Sequence, residues 1–313
     1  MSVRKEYSYP SKTGLANIHA VSWAPDDASQ VKAVFQIMHG MAEHLERYED
    51  FANYMTGRGF AVYINDHIGH GKSVKSDDDL GYFGEKDGWQ AFIADARALT
   101  EIAKEEYPGK PLIVFGHSMG SFVCREYAKR FGRDDAIKGF IFCGTSGPNP
   151  ATGAGIAICK TISKLKGSRH RSTLIDKIAF GSYNKKYDSV RTPFDWLTRD
   201  EAIVDKYIAD KYCGFLFTAA GYIDMFNVLA AVSSAEWATS LIKSKPYLII
   251  SGAMDPVGAY GAGVRTVCNA LKGAGCGDVT MKIYDDCRHE ILNETNRADI
   301  YADVADWAES KIQ

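Results

Sequence analysis

The sequence lacks the features that direct a protein to a nucleic acid, a membrane or a secretory pathway. Its 313 residues carry a formal net charge of −2, whereas nucleic-acid-binding domains are usually strongly basic. Residues 1–7 contain no apolar segment of the kind that forms a signal peptide. No stretch approaches the roughly 20 apolar residues of a membrane span. We therefore expect a soluble, cytosolic protein without a nucleic-acid partner.

The cysteines lack any pattern that would indicate a disulfide framework or a zinc site. The chain has seven cysteines, which is an odd number, and no two of them have the C-x-x-C spacing. Disulfide-stabilised domains and structural zinc sites depend on cysteines paired at short intervals. We therefore predict reduced thiols that pack as ordinary core residues.

Apolar residues are abundant, and they follow two periodicities. They make up 46% of the chain, which is enough for a large core. Unbroken apolar runs, typical of strands buried on both faces, occur at residues 31–38, 60–65, 112–115, 140–143, 247–251 and 279–284. Helical spacing occurs at residues 48–58, 89–107, 119–131 and 297–312. This alternation predicts an α/β fold with a mostly parallel central sheet and helices on both faces.

The alternation stops between residues 148 and 244. This span has no convincing buried strand, but it has helix-like pieces at residues 156–165, 200–212 and 218–232. We interpret it as a helical cap over the carboxyl ends of the strands, where open α/β sheets bind ligands. The expected organisation is a core made of residues 1–147 and 245–313, with the cap at 148–244.

A candidate nucleophile lies directly after the third of these apolar runs. Residues 116–120 read Gly-His-Ser-Met-Gly and precede a helical segment. A strand, then G-x-S-x-G, then a helix is the context of a nucleophile elbow, in which a tight turn exposes the serine hydroxyl. The glycines suit a turn that has no room for side chains. This pattern indicates that Ser118 is the nucleophile.

A serine nucleophile needs a general base and a carboxylate that orients it. His289 is the only histidine after residue 170, and it lies between the last predicted strand and the last helix. Asp255 follows the predicted strand at 247–251, which gives the chain order Ser, Asp, His expected for this fold. Asp285 and Asp286 are rival carboxylates, which we interpret as solvated loop residues. We expect a catalytic triad of Ser118, Asp255 and His289.

A second fingerprint follows the first apolar run, where residues 39–44 read His-Gly-Met-Ala-Glu-His. A His-Gly pair at this place marks the loop that supplies an oxyanion-hole N–H group. We assign the backbone N–H groups of Met41 and Met119 as the two donors. Glu43, His44 and Arg47 are interpreted as a turn with ordinary ion pairing, and the alternative is a structural or substrate-contacting role near the cleft. Residues 66–71, Asp-His-Ile-Gly-His-Gly, are interpreted as a tight turn rather than a metal site.

Together these motifs resemble those of a known family. Residues 39–48 (His-Gly-Met-Ala-Glu-His-Leu-Glu-Arg-Tyr), 66–73 (Asp-His-Ile-Gly-His-Gly-Lys-Ser) and 116–120 resemble the monoacylglycerol lipase and lysophospholipase family of α/β-hydrolases. Residues 192–200 and 288–294 are similar to its bacterial lysophospholipase-like branch. By this resemblance, Ser118, Asp255 and His289 match the family's triad, and Met41 and Met119 match its oxyanion positions. The inserted span matches its cap.

The resemblance implies a serine hydrolase that cleaves carboxylic esters of monoacylglycerol or lysophospholipid-like lipids through an acyl-enzyme. This chemistry needs no cofactor and no metal, and the expected partner is a small-molecule or lipid ester. The alternatives are an aminopeptidase or amidase of the proline-iminopeptidase type and, in a different class, a non-catalytic ligand-binding protein. A dehalogenase or epoxide hydrolase is disfavoured, because those resemble this fold with an aspartate nucleophile. The sequence does not indicate an oligomeric state.

Two features of the cap leave alternatives open. An apolar stripe at Ile156, Ile158, Cys159, Ile162 and Leu165 lies near several lysines and arginines, as on helices that rest on anionic membranes. We favour the simpler interpretation, in which this helix packs on the body with a solvated basic face. The aromatic residues Phe215, Phe217, Tyr222 and Phe226 line a pocket or form the core of the cap.

Overall fold

Eight strands form a single sheet in the computed structural model, which describes residues 2–313. They are β1 (Ser2–Pro10), β2 (Asn17–Pro25), β3 (Ala33–Met38), β4 (Phe60–Asn65), β5 (Leu112–His117), β6 (Ile137–Cys143), β7 (Tyr247–Gly252) and β8 (Val279–Tyr284). Their order across the sheet is β1-β2-β4-β3-β5-β6-β7-β8. Strands β3 to β8 are parallel, whereas the hairpin β1–β2 joins β4 in the antiparallel direction. The predicted α/β fold is confirmed.

Helices cover both faces of this sheet. They are α1 (Glu49–Gly57), α2 (Trp89–Glu106), α3 (Met119–Phe131), α4 (Thr152–Lys166), α5 (Thr173–Phe180), α6 (Glu201–Ala209), α7 (Ala219–Val232), α8 (Ala235–Ser240), α9 (Ala262–Gly273) and α10 (Arg297–Lys311). Apolar side chains of α1 and α10 pack on one face, and those of α2, α3 and α9 pack on the other. Each face buries the apolar stripe of its helices, which is the main source of stability for such a layered fold.

The six parallel strands differ in how far they are buried. Every residue of β3, β4, β5 and β7 is buried, as their unbroken apolar runs predict. The prediction that residues 279–284 form a strand buried on both faces was wrong. Strand β8 is an edge strand whose side chains alternate between half-buried and exposed, because Thr280 and Lys282 interrupt its apolar residues and face solvent.

Five helices, α4 to α8, lie between β6 and β7. We call residues 148–244, which contain them, the insertion. Helix α7 contributes Tyr222, Val228 and Val232 to the same apolar cluster as α2 and α3, so it anchors the insertion on the body. None of the helices in residues 2–313 combines the length and apolar character that a membrane span requires.

The parallel strands bring distant parts of the chain to one edge of the sheet. The loops that follow β3, β4, β5, β7 and β8 all leave from the carboxyl ends of their strands. The predicted functional residues lie in these loops, although they span about 250 positions of the sequence. Open α/β sheets bind ligands at this edge.

Candidate active site

Ser118 lies in a sharp turn between β5 and α3. Its backbone has φ 53° and ψ −122°, a region that non-glycine residues rarely occupy. A Cβ atom at Gly116 would lie 2.2 Å from the carbonyl oxygen of Gly120, and one at Gly120 would lie 2.1 Å from that of Met38. Both flanking positions therefore require glycine, as the sequence pattern indicates. The turn places Ser118 at the N-terminus of α3.

His289 and Asp255 form a buried pair. His289 Nδ1 lies 2.9 Å from Asp255 Oδ1, and the two residues are 2% and 0% exposed. Asp255 also accepts hydrogen bonds from the Val257 N–H and the Ser251 hydroxyl. Burial acts to raise the pKa of Asp255, but His289 and these hydrogen bonds outweigh it and lower the pKa. The carboxylate therefore stays ionised and can stabilise an imidazolium ion.

The rival carboxylates do not contact His289 in this way. Asp285 and Asp286 are both exposed. The structure therefore brings Asp255, and neither rival, to His289.

Ser118 and His289 face the same cavity. Within residues 2–313, the Ser118 hydroxyl makes no hydrogen bond to the imidazole, and such contacts often tighten only when substrate binds. The His289 ring packs between two others, with centroids 5.1 Å from Trp196 and 4.8 Å from His117. These contacts fix the orientation of the ring towards the cavity.

The loop after β3 approaches the serine closely. A Cβ atom at Gly40 would lie 3.1 Å from Cβ of Ser118, and Ala42 has φ 49°. The backbone N–H groups of Met41 and Met119 donate no hydrogen bond within the described chain, and both residues line the cavity. Two unengaged donors beside a serine have the arrangement that an oxyanion requires.

A buried network of charges supports this loop, and it extends beyond the ion pairing that the sequence predicts within the turn. Glu43 accepts hydrogen bonds from the Gly40 N–H at 2.5 Å and from the Tyr48 hydroxyl at 2.9 Å, and forms an ion pair with Arg47. Arg47 also makes a two-pronged contact with Glu290, the residue after His289. The interpretation of Glu43 and Arg47 as an ordinary turn therefore missed a link between the oxyanion loop and the His289 loop.

The charges in this network determine the protonation of His117. Its Nδ1 lies 3.3 Å from Glu43. Burial acts to lower the pKa of His117, but the hydrogen bond and the charge of Glu43 outweigh it and raise the pKa. Burial likewise opposes ionisation of Glu43, yet Arg47 and His117 hold its pKa well below the usual value. The spacing of Glu43 and Arg47, which are i and i+4 in sequence, was the available signal for this pair.

The turn at residues 66–71 supports the adjacent backbone. Asp66 accepts hydrogen bonds from the N–H groups of Leu45 and Lys72 and contacts the His19 ring. A Cβ atom at Gly71 would lie 2.3 Å from the Asp66 carboxylate, which explains the glycine. Burial lowers the pKa of His70 to about 3, so its ring is neutral at pH 7. The Asp66 carboxylate thus binds backbone N–H groups, as the tight-turn interpretation predicts.

The cavity has a volume of about 810 Å³ and lies between the sheet edge and the insertion. Its lining is largely apolar and includes Phe122, Phe180, Trp196, Met225 and Leu229. Of the aromatic residues with two open interpretations, Phe215 and Phe226 line the cavity, whereas Phe217 and Tyr222 are core residues. The insertion therefore supplies much of the surface that a substrate meets.

The seven cysteines are free thiols, as predicted. On α4, part of the apolar stripe is buried, as expected for a packed helix, and part is exposed, as expected for a helix that rests on a membrane. Cys159 is buried in the apolar cluster that also contains α7 residues, and α7 is the helix on which α4 packs. In contrast, Ile158 is 38% and Leu165 is 76% exposed.

The mostly parallel sheet, the strained turn at Ser118 and the His289–Asp255 pair at the same edge define an α/β-hydrolase. The family model described as serine aminopeptidase, S33, matches residues 29–296. The chain belongs to this family, and the predicted membership of the monoacylglycerol lipase group of α/β-hydrolases is confirmed.

Individual relatives match nearly the whole chain. A monoacylglycerol lipase of Mycolicibacterium smegmatis is 28% identical over 99% of this chain and 99% of its own. The human monoglyceride lipase is 25% identical over 87% of this chain and 79% of its own. Among solved structures, a thermostable carboxyl esterase from Bacillus coagulans in complex with glycerol is 29% identical. It has a TM-score of 0.92 and covers 100% of both chains.

Proposed function

We propose that the protein hydrolyses carboxylic esters of single-chain lipids, with monoacylglycerols as the preferred class, through Ser118, His289 and Asp255. One observation carries this proposal. Ser118 and His289 face a large apolar cavity in which the Met41 and Met119 N–H groups have no other partner among residues 2–313. The names of the similar proteins, which are lipases and a carboxyl esterase, support the choice of an ester substrate.

In the proposed mechanism, His289 removes the Ser118 proton as the serine oxygen attacks the ester carbonyl. The N–H groups of Met41 and Met119 stabilise the negative oxygen of the tetrahedral intermediate. Asp255 holds the imidazole in position and stabilises its protonated form. The imidazolium then gives its proton to the leaving alcohol, and water hydrolyses the acyl-enzyme with the same groups in the same roles.

The charges of the cavity support an ester over a peptide with a free amino terminus. An aminopeptidase needs a carboxylate to bind the substrate ammonium group. The cavity lining includes three acidic residues, and each already has a partner. Glu43 and Glu290 pair with Arg47, and Asp176 accepts a hydrogen bond from the Tyr222 hydroxyl. In this lining the aminopeptidase alternative therefore has Asp176 as its single acidic anchor without a cationic partner, because the hydroxyl that binds it is neutral.

The proposed domain organisation assigns residues 148–244 to a cap that selects the acyl chain. This cap also supports peripheral contact with a lipid surface. Large apolar side chains that are exposed lie almost all in this span, while outside it Val3 is exposed. The exposed residues of the span are Ile158, Leu165, Leu174, Ile178, Val190 and Ile208. Clustered exposed apolar residues commonly mark an interaction surface.

The test is a hydrolysis panel of monoacylglycerols, lysophospholipids, short nitrophenyl esters and aminoacyl amides. We expect the monoacylglycerols to give the highest kcat/KM, and Ser118→Ala to reduce kcat by about 10⁴-fold or more. Exposed Ser240 on α8 provides the control, and Ser240→Ala should retain full activity. Hydrolysis of the amides alone would contradict the lipase-like proposal.

A fluorophosphonate probe separates an enzyme from a non-catalytic binding protein. A catalytic serine attacks the phosphorus atom and becomes labelled, so we expect labelling of the native protein and none of Ser118→Ala or of a heat-denatured sample. A native protein that stays unlabelled would favour the non-catalytic alternative.

A further inference from the structure

Three side chains with metal-binding atoms meet where the loop after β3 touches the insertion. They are His44, Asp210 and Cys213, and their ligand atoms all lie within 4.8 Å of one another. His44 Nε2 is 2.8 Å from Asp210 Oδ2, although the two residues are 166 positions apart in sequence. These residues have no part in the proposed mechanism.

The surrounding backbone holds this cluster in place. Asp210 accepts hydrogen bonds from the Tyr212 N–H at its Oδ1 atom and from the Cys213 N–H at its carbonyl oxygen. On the other side, the Ala42 carbonyl accepts hydrogen bonds from the Gly214 N–H at 2.9 Å and from a tyrosine hydroxyl of the insertion at 3.0 Å. The two chain segments that carry the ligands are therefore already fixed against each other.

We propose that His44, Asp210 and Cys213 bind a divalent metal ion of the zinc type. An imidazole nitrogen, a carboxylate oxygen and a thiolate are all zinc ligands, and a fourth position stays free for water. Tetrahedral zinc with bonds of about 2.0–2.3 Å separates its ligand atoms by roughly 3.3–3.8 Å. The cluster reaches this geometry if its longer separations, which are at most 4.8 Å, close by about 1 Å or less and the 2.8 Å contact of His44 with Asp210 widens by about 0.5 Å. Both changes are within the range of side-chain rotation.

The charges of the site suit a divalent cation. Asp210 supplies a carboxylate whose Oδ2 atom lies 2.8 Å from His44 Nε2. The guanidinium of nearby Arg47 is neutralised by Glu43 and Glu290, so it does not repel a bound cation.

Metal binding has a defined proton balance at the thiol. A cysteine that binds no metal carries a proton on its sulfur at neutral pH. Zinc binds the thiolate and stabilises it, so that the Cys213 proton is released to solvent. With the Asp210 carboxylate, the thiolate then balances the two positive charges of the ion. At His44 the metal binds the lone pair of Nε2. The hydrogen that Nε2 shared with Asp210 passes to solvent, and Nδ1 becomes the protonated nitrogen of the neutral ring.

A bound ion would connect two parts of the proposed enzyme. His44 lies three residues after Met41, whose N–H group faces the cavity, while Asp210 and Cys213 belong to the insertion. The metal therefore crosslinks the oxyanion loop to the insertion. This inference does not depend on the proposed reaction, because its test measures metal binding rather than hydrolysis.

The test is a titration of the metal-free protein with Zn²⁺ by calorimetry, and with Co²⁺ by absorption spectroscopy. We expect one Zn²⁺ per chain in the micromolar range, and a sulfur-to-cobalt charge-transfer band. Cys213→Ser and Asp210→Asn should each weaken Zn²⁺ binding by at least about tenfold, and Cys213→Ser should abolish the band. Cys276→Ser, which removes a buried thiol outside the cluster, should bind as the parent protein does.

Thermal unfolding gives a second readout for variants that fold. Zn²⁺ should raise the Tm of the parent protein and of Cys276→Ser, because a ligand that binds the folded state stabilises it. It should leave the Tm of Cys213→Ser and Asp210→Asn unchanged. The proposal is overturned if the parent protein binds no Zn²⁺ in the micromolar range, or if either cluster variant binds as tightly as the parent. Using two variants keeps the test decisive if one of them fails to fold.

Discussion

At the scale of single residues, the site depends on backbone that is held in uncommon conformations. Ser118 and Ala42 both have positive φ angles, and each lies in a loop that follows a buried parallel strand. Positions of this kind are maintained only when the surrounding structure supports them. The glycines beside Ser118 and the hydrogen bond from Gly40 to Glu43 provide that support.

The roles of the candidate carboxylates can be separated by mutation. Asp255→Asn keeps the shape of the side chain but removes the charge that stabilises the His289 imidazolium, so we expect kcat to fall by about 10⁴-fold. Steady-state kinetics with a soluble ester measure this loss. The matched control is Asp285→Asn, at an exposed rival carboxylate, which should retain parental kcat. Equal losses in both variants would contradict the assignment of Asp255.

The sequence predicted the residues that follow strands better than those that act through tertiary contacts. Ser118, Asp255 and His289 each have a local signal, namely a motif, a position after an apolar run, or their order along the chain. Glu290 has none, because its partner Arg47 is 243 positions away. The contact of His44 with Asp210 was missed for the same reason. Only the fold reveals such pairs.

At the scale of secondary structure elements, the six parallel strands β3 to β8 were predicted, whereas the antiparallel pair β1–β2 was missed, although most of β2 is buried. Strand β4 begins and ends where its apolar run does, at Phe60 and Asn65. Strand β1 was not predicted, because most of its residues are exposed and polar. Its conformation is stabilised by pairing with β2 along its whole length. Short helix α5 was also missed, since eight residues contain too few turns to establish a helical period.

One buried carboxyl group links the insertion to the body. Asp224 on α7 is 2% exposed, and its carboxylate lies close to Gly88, which precedes the first turn of α2. Burial raises the pKa of Asp224 to about 7, although the N–H groups of Trp89 and Gly88 act in the opposite direction. The group is therefore protonated in the folded protein under mildly acidic conditions, where the unfolded chain is ionised.

This difference predicts a pH dependence of stability. Between about pH 4 and pH 7 the folded state binds more protons at Asp224 than the unfolded state does, so the free energy of unfolding falls as the pH rises. The side chain in Asp224→Asn cannot ionise, so the free energy of unfolding of this variant does not fall for this reason as the pH rises. We expect its stability relative to the parent protein to increase by about 2 kcal/mol from pH 5 to pH 8.

Urea unfolding at the two pH values measures the effect of Asp224→Asn. The control is Asp135→Asn, at an exposed carboxylate on the body. Its stability relative to the parent protein should be nearly independent of pH. If the difference in free energy of unfolding between Asp224→Asn and the parent protein stayed constant from pH 5 to pH 8, this result would be inconsistent with the raised pKa.

At the scale of the whole molecule, the insertion and the body differ in how many large apolar side chains they expose. The insertion exposes most of the large apolar side chains that are accessible in the described chain. Lys160, Lys164 and Lys166 on α4 are exposed beside them. Apolar residues interspersed with lysines are typical of surfaces that rest on anionic lipid. Under the proposed function, this surface of the insertion is the one that would contact a lipid substrate.

The membrane-contact proposal predicts a loss that depends on the form of the substrate. Leu165 and Leu174 are 76% and 58% exposed and do not line the cavity. The double variant Leu165→Ser/Leu174→Ser should bind anionic phospholipid vesicles about tenfold more weakly, because apolar area is no longer buried in the lipid. Vesicle cosedimentation and hydrolysis of vesicle-embedded monoacylglycerol measure the effect. Hydrolysis of a soluble short-chain ester should not change.

Val3 provides the control for this experiment. It is 52% exposed but lies on the edge strand β1, outside the insertion. Val3→Ser should bind vesicles as the parent protein does. If it lost as much binding as the double leucine variant, the contact would be a general property of the surface rather than of the insertion.

The bridge from Glu43 through Arg47 to Glu290 also has a consequence for biosynthesis. It joins an early segment of the chain to one that is synthesised more than 240 residues later. A nascent chain that has already exposed the Ser118 segment therefore still lacks Glu290, which supports the loop after β3, and has no His289 in place. Under the proposed roles, catalytic activity appears only after residue 290 has emerged, so the growing chain cannot hydrolyse the proposed ester substrate before then.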